Sequence, residues 1–148
     1  MTKRAGLRYK KSFIEHLHKE FEICKQRVKE SGLEEKVEFV KCSKKEIPLP
    51  DSIAERVLMA NLLHELLYPS EFLSEVKRIS KPNAQIILID WHPVPSPTGP
   101  PIEERISEDK ALELLENNGF LLMERLNVFP YHYFLIGSIS SNRTCNNS

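Results

Sequence analysis

Glycine is scarce in this chain of 148 residues: five in all, Gly6, Gly32, Gly99, Gly119 and Gly137, no two of them close neighbours. A P-loop and a Gly-x-Ser-x-Gly nucleophile elbow are thereby excluded. Cysteine is nearly missing. Cys24, Cys42 and Cys145 are an odd number without Cys-x-x-Cys spacing, which fits a reducing cytosol and no disulfide framework. Neither sign of charge prevails, with 21 basic against 21 acidic residues and a formal net charge of +0. That balance speaks against a nucleic-acid partner and against an acidic tail. No apolar run approaches the roughly 20 residues of a membrane helix. The basic start MTKRAGLRYKKS lacks an apolar stretch, so it reads as no secretory signal. Asn142-Arg143-Thr144 and Asn146-Asn147-Ser148 match the glycosylation pattern by chance on that reading. The expectation is a cytoplasmic protein without a membrane span.

What is present is an ordinary globular profile, 41% hydrophobic and 28% charged, long enough for one core. Phe13, Leu17, Phe21, Cys24 and Val28 recur every three to four residues, which predicts a helix of about six turns ending at Gly32. Val37-Glu38-Phe39-Val40 reads as a short strand and 41–51 as a loop punctuated by Pro48 and Pro50. Arg56 to Ala60 and Ile86 to Ile89 read as buried strands. Between them lies a helix with Pro69 in its first turn and Phe72, Leu73, Val76 and Ile79 inward. His92 to Pro101 carries five of the ten prolines and reads as an irregular loop of the kind that covers a site. Ser107 should cap a helix with Ala111, Leu112, Leu114 and Leu115 on its buried side, ended by Asn117-Asn118-Gly119. Phe120–Val128 and Tyr131–Ile139 predict an antiparallel hairpin around Phe129-Pro130. One domain over 1–139 and a disordered polar tail over 140–148 are expected.

The polar residues gather at strand exits, where open α/β sheets bind ligands. Asn61-Leu62-Leu63-His64-Glu65 follows the first buried strand, and Asp90-Trp91-His92 ends the second. A carboxylate, an indole and an imidazole before a proline-rich loop form a candidate substrate site. The bland alternative is an Asp capping the loop and a Trp packed under the prolines. For His64 it is a helix-start histidine satisfied by its neighbours. His64-Glu65 gives half of a zinc His-Glu-x-x-His site, but Tyr68 stands four residues on, so no metal is expected.

These segments, with Glu46-Ile47-Pro48-Leu49-Pro50-Asp51 and Arg78-Ile79-Ser80-Lys81-Pro82-Asn83-Ala84, resemble class I S-adenosylmethionine-dependent methyltransferases of type 11 over roughly residues 21–139. Arg78 to Ala84 is similar to the family's Arg-x-Leu-Lys-Pro-Gly-Gly turn with both glycines replaced, Asn83 being able to take the left-handed conformation of the first. Thr98 to Ile106 resembles a loop of small microbial members. The resemblance implies an α/β fold: an incomplete Rossmann-like, doubly wound sheet with a C-terminal antiparallel hairpin, truncated at its N-terminal side relative to the family. It implies a cofactor site at Cys42, Ser43, Lys44, Asn61 and Leu62, with Ser43 standing where the family places an acidic residue facing adenine. A turn-forming serine explains Ser43 equally well. Substrate-pocket candidates are His64, Glu65, Asp90, Trp91 and His92; no catalytic residue is assigned. The glycine-rich loop that approaches the methionine part of the cofactor has no counterpart, so binding of S-adenosylmethionine should be weak or absent. The implied activity is methyl transfer to a small molecule. The alternative is a non-catalytic subunit or truncated product whose exposed sheet edge at Val57–Ala60 binds a second copy or a partner chain that completes the sheet.

Overall fold

The computed structural model describes residues 15–139, with side chains from residue 21 onward. Phe13, the side chain of Leu17 and the tail over 140–148 lie outside the described residues. The chain forms two compact units, Met1–Pro48 and Leu49–Ser148.

In the first unit, α1 spans Glu15–Glu30. It ends as expected at Gly32, whose φ of +64° only glycine adopts freely. Leu33 N–H donates to Val28 O at 3.1 Å and Gly32 N–H to Lys29 O at 3.0 Å, the paired bonds of a Schellman C-cap. A short 3₁₀ turn over Glu34–Lys36 follows. Residues 37–40 correct the sequence reading, because they form no strand. Val37 is extended (φ −120°, ψ 127°), yet a strand exists only as part of a hydrogen-bonded ladder, and propensity alone supplies no partner. The Phe39 ring instead meets Phe21 edge-on at 5.3 Å.

The second unit holds a four-stranded sheet in the order β1-β2-β4-β3. β1 is Ala54–Ala60, β2 Ser80–Trp91, β3 Phe120–Leu126 and β4 His132–Ile139. β1 and β2 run parallel, joined through helix α2 (Pro69–Ile79), and both pairings of β4 are antiparallel. Helix α3 (Glu108–Asn117) enters from the proline-rich loop, capped by the Ser107 hydroxyl accepting from Lys110 N–H.

Register and the two-residue period assign the faces. Ile86, Leu88 and Asp90 pair with Gly137, Leu135 and Tyr133, and Met59 pairs with Leu88; all of these are buried. This inner face meets the apolar sides of α2 (Phe72, Leu73, Val76, Ile79) and α3 (Ala111, Leu112, Leu115). Leu114, expected inward, is half-buried. Ile87, Ile89, Trp91, Phe134 and Ile136 share the opposite face and are half-buried. Leu63, Leu73, Leu88 and Leu135 are fully buried, each worth about 1.5–3 kcal/mol of transfer free energy.

Two expectations for the strands change. β1 is not buried throughout: Met59 is 2% exposed but Leu58 is 58% exposed, because only alternate residues reach α2 and α3. The Lys81–Ala84 turn lies inside β2 as a bulge, since Ala54 pairs with Ser80 and Arg56 already with Gln85. Asn83 supplies the left-handed residue there (φ +63°), as its side chain permits. Arg78 secures the approach to β1. Its guanidinium donates to both Glu75 carboxylate oxygens at 2.8 Å, and to Leu49 O and Asp51 Oδ1 at 2.7 Å.

Candidate active site

The exits of β1 and β2 lie side by side because the strands are parallel and in register up to Ala60 and Ile89. Asn61 prolongs the ladder by one bond, donating from N–H to Ile89 O at 2.8 Å, and then turns the chain with φ +52°. A 3₁₀ turn over Leu63–Glu65 anchors itself through the buried Leu63 and so brings His64 over the end of β2. Asp90, next after Ile89, points to the inner face.

Asp90 and His64 meet there. Their Oδ1 and Nδ1 atoms are 2.6 Å apart, with the Asp90 side chain 0% and the His64 side chain 7% exposed. His64 N–H donates to Asp90 Oδ2 at 3.1 Å and Trp91 N–H to Oδ1 at 2.8 Å. Three donors thus converge on one buried side chain. Because a carboxylate only accepts, the proton of a neutral His64 belongs on Nδ1, leaving the Nε2 lone pair available. Burial alone pushes the His64 imidazole down. The hydrogen bond and charge of Asp90, with the charges of Glu65 and Glu104, outweigh it and raise His64 above its ordinary value. Glu65 Oε1 lies 4.0 Å from His64 Nε2.

Tyr133, opposite Asp90 across the β2–β4 ladder, packs its ring edge-on against His92 at 5.4 Å. Its buried hydroxyl has no hydrogen-bond partner among the described residues. Burial, then the charges of Asp90 and Glu108, hold this phenol far above its usual range, so it stays protonated.

The Trp91 ring points the other way. It stacks on His132 at 4.0 Å, lies 4.9 Å beneath the Arg105 guanidinium and is covered by Gly99. A Cβ on Gly99 would stand 2.9 Å from the ring, and its φ of +114° also demands glycine. Burial lowers the His132 imidazole; Asp90 opposes this, while His92 and Arg105 reinforce it. The candidate pocket therefore resolves into two clusters. His64, Asp90, His92 and Tyr133 gather towards the inner face, with Glu65 half exposed at the rim, whereas Trp91 braces the loop on the outer face.

Of the cofactor candidates, Asn61 is exposed at the β1 exit and Leu62 is half-buried beside it. Cys42, Ser43 and Lys44 belong to the first unit, where the Ser43 hydroxyl accepts from Glu46 N–H at 2.9 Å and Lys45 N–H at 3.3 Å and closes its own turn. Arg105, Tyr133, His132 and Glu104 were not singled out by the sequence as site residues. Arg105 stood within the matched loop segment. Tyr133 and His132 carried only the alternation of a strand.

The sequence matches the family described as "Methyltransferase domain" over residues 10–88, more than half of the chain. The chain belongs to that family. A structure of a SAM-dependent methyltransferase from Aquifex aeolicus shares 35% identity with this family member at a TM-score of 0.74, over 80% of this chain and 62% of that one. The present chain thus spans less than two thirds of that relative's length. A protein assigned as a type 11 methyltransferase from Sulfolobus solfataricus shows the same fold, at 24% identity and a TM-score of 0.69, over 94% of this chain and 86% of its own. So does the 1,6-didemethyltoxoflavin-N1-methyltransferase of Burkholderia thailandensis, determined with 1,6-didemethyltoxoflavin and S-adenosylhomocysteine bound, at 17% identity and a TM-score of 0.62, over 82% of this chain and 57% of its own. Among curated proteins none matches the sequence. The architecture is accordingly a Rossmann-like methyltransferase sheet, and the family uses S-adenosylmethionine. Among the described residues no helix is long and apolar enough to cross a membrane, and no cluster of His, Cys, Asp and Glu forms a metal site.

Proposed function

We propose that this methyltransferase-domain chain transfers a methyl group to a small molecule seated at the β1 and β2 exits, with His64 as the group that takes the acceptor's proton. The observation that carries this reading is the buried His64–Asp90 pair at 2.6 Å. Asp90 fixes the imidazole ring and its tautomer, and Nε2 is left to receive a proton from a hydroxyl or amine acceptor. His64 must be neutral to do so, and its raised pKa means the competent form grows in as pH rises through that value. S-adenosylmethionine, when bound, supplies an already activated methyl group, so the protein's part is to orient the acceptor, exclude water and hold that proton. The cytoplasm is the compartment this reading assigns.

The residues fit the cofactor in part. Asn61, exposed at the β1 exit, and Leu62, half-buried beside it, are the residues of the second unit that this reading assigns to the cofactor. No glycine pair lets a backbone approach the methionine part. Each hydrogen bond that the cofactor forgoes there costs about 1–3 kcal/mol, enough together to weaken affinity by decades. Calorimetric titration of the chain with S-adenosylmethionine and S-adenosylhomocysteine should therefore give dissociation constants weaker than micromolar. Micromolar or tighter binding would show that the glycine-rich element is dispensable here.

A second reading is favoured by β1. Among the described residues it pairs only with β2, and Leu58 is 58% exposed. On this reading the chain is a non-catalytic subunit whose β1 edge binds a second copy or a chain that completes the sheet. Sedimentation at micromolar concentration tests it, and a strictly monomeric, well-folded species removes self-association from consideration.

A further inference from the structure

The Arg105 guanidinium has a set of acceptors confined to one loop. Nε donates to Pro100 O at 2.9 Å, Nη1 to His92 O at 3.2 Å and Val94 O at 2.8 Å, and Nη2 to Ser96 Oγ at 2.8 Å. The same group stacks on Trp91, and the helical turn Ile102–Glu104 leads directly into it, closed by Arg105 N–H donating to Ile102 O at 3.1 Å. A planar fork alone can serve so many diverging carbonyls. The grip reaches past the loop, because Trp91 and His92 immediately follow Asp90 on β2. His92 is also held from the other side, its N–H donating to Tyr131 O at 2.9 Å. The strand end carrying the buried carboxylate is thus clamped between β4 and Arg105.

We propose that Arg105 is a positioning residue for the His64–Asp90 pair, holding through the 92–100 loop the strand end from which Asp90 reaches His64. This rests on His64 being the proton-accepting group. The charged groups acting on His64 are Asp90 from β2, Glu65 from its own turn and Glu104 from the turn before Arg105; the Tyr133 phenol faces Asp90 from β4. Loosening the clamp frees both the Asp90 strand end and Glu104, which lessens their hold on the imidazolium.

Uniformly ¹⁵N-labelled full chain, followed by NMR, gives the test without cofactor or acceptor. Arg105→Lys keeps the charge and loses the fork. The amides of His92 and Val94, which donate to Tyr131 O and His92 O, should exchange at least about tenfold faster, the downfield Nδ1–H resonance of His64 should weaken, and its titration midpoint should fall by about 0.3 unit or more. Gly99→Ala, which drives a Cβ into the Trp91 ring, should give the same changes in smaller degree and decides the matter should Arg105→Lys fail to fold. A His64 resonance and midpoint identical to the parent's in the folded variants overturn the proposal, whatever the loop does. Cofactor titration is independent of this readout: failure there alone counts against the methyltransferase reading, and an unmoved His64 alone counts against Arg105.

Discussion

Replacing Asp90 by Asn tests the centre of the site through stability, without an acceptor. The carboxylate accepts from His64 Nδ1–H, His64 N–H and Trp91 N–H at 2.6, 3.1 and 2.8 Å, at zero exposure. An amide keeps one accepting oxygen and turns an NH₂ group towards a donor. At least one charge-assisted bond goes, worth about 1.5–3 kcal/mol, and breaking a buried pair outright costs about 3–5 kcal/mol. A loss near 3 kcal/mol lowers Tm by about 6–12 °C in a domain of this size. The pH dependence supplies the sharper criterion. His64 has a folded-state pKa above its ordinary 6.5, so its contribution is complete below that ordinary value and disappears as pH rises through the folded value. The gap between parent and Asp90→Asn should be widest at about pH 6 and narrow towards about pH 9. Thermal unfolding at both ends measures it. A gap that is the same at both, or below about 1 kcal/mol, would refute the ion pair as a stabilising element.

Asn61 carries φ +52° at the β1 exit, so Asn61→Gly should leave Tm nearly unchanged whereas Asn61→Val should cost about 1–2 kcal/mol; equal melts for the two would show that the left-handed turn is not kept. Ser107 caps α3 through Lys110 N–H at 3.2 Å, and Ser107→Ala should lower unfolding free energy in denaturant by about 1 kcal/mol. Met59→Lys places a charge among buried side chains and should abolish cooperative unfolding, while Leu58→Lys should fold normally and suppress any association through β1. A Leu58→Lys chain that fails to fold would mean that this side chain is covered.

Helix α2 was legible in full because propensity, the Pro69 start and the 3.6-residue spacing of Phe72, Leu73, Val76 and Ile79 agree with its burial. The Gly32 cap, the Ser107 cap, the hairpin and the left-handed Asn83 were legible for similar local reasons. Residues 37–40 misled because β-propensity describes a surface fit to pairing and cannot provide the neighbouring strand. Leu58 misled because an apolar run does not say which of its alternate residues finds a helix above it. In the site, His64 and Asp90 could each be named, but their meeting depends on the register of two parallel strands separated by a helix. Trp91 and Asp90, adjacent in sequence, were grouped together; strand alternation sends them to opposite faces. Arg105 was beyond reach for another reason, since its role lies in carbonyl groups, which carry no residue-specific signal.

The tryptophan beneath that loop is the chain's single one. Its emission is therefore free of competing indoles, and its surroundings of His132, Arg105 and Gly99 make it an optical gauge of the loop. With His132 held below its ordinary pKa, the stacked imidazole is uncharged at neutral pH and becomes a quenching cation only on acidification. A red shift on opening and quenching in acid are separable signals, so an ordinary fluorimeter can distinguish lifting of the loop from protonation of the ring beneath it.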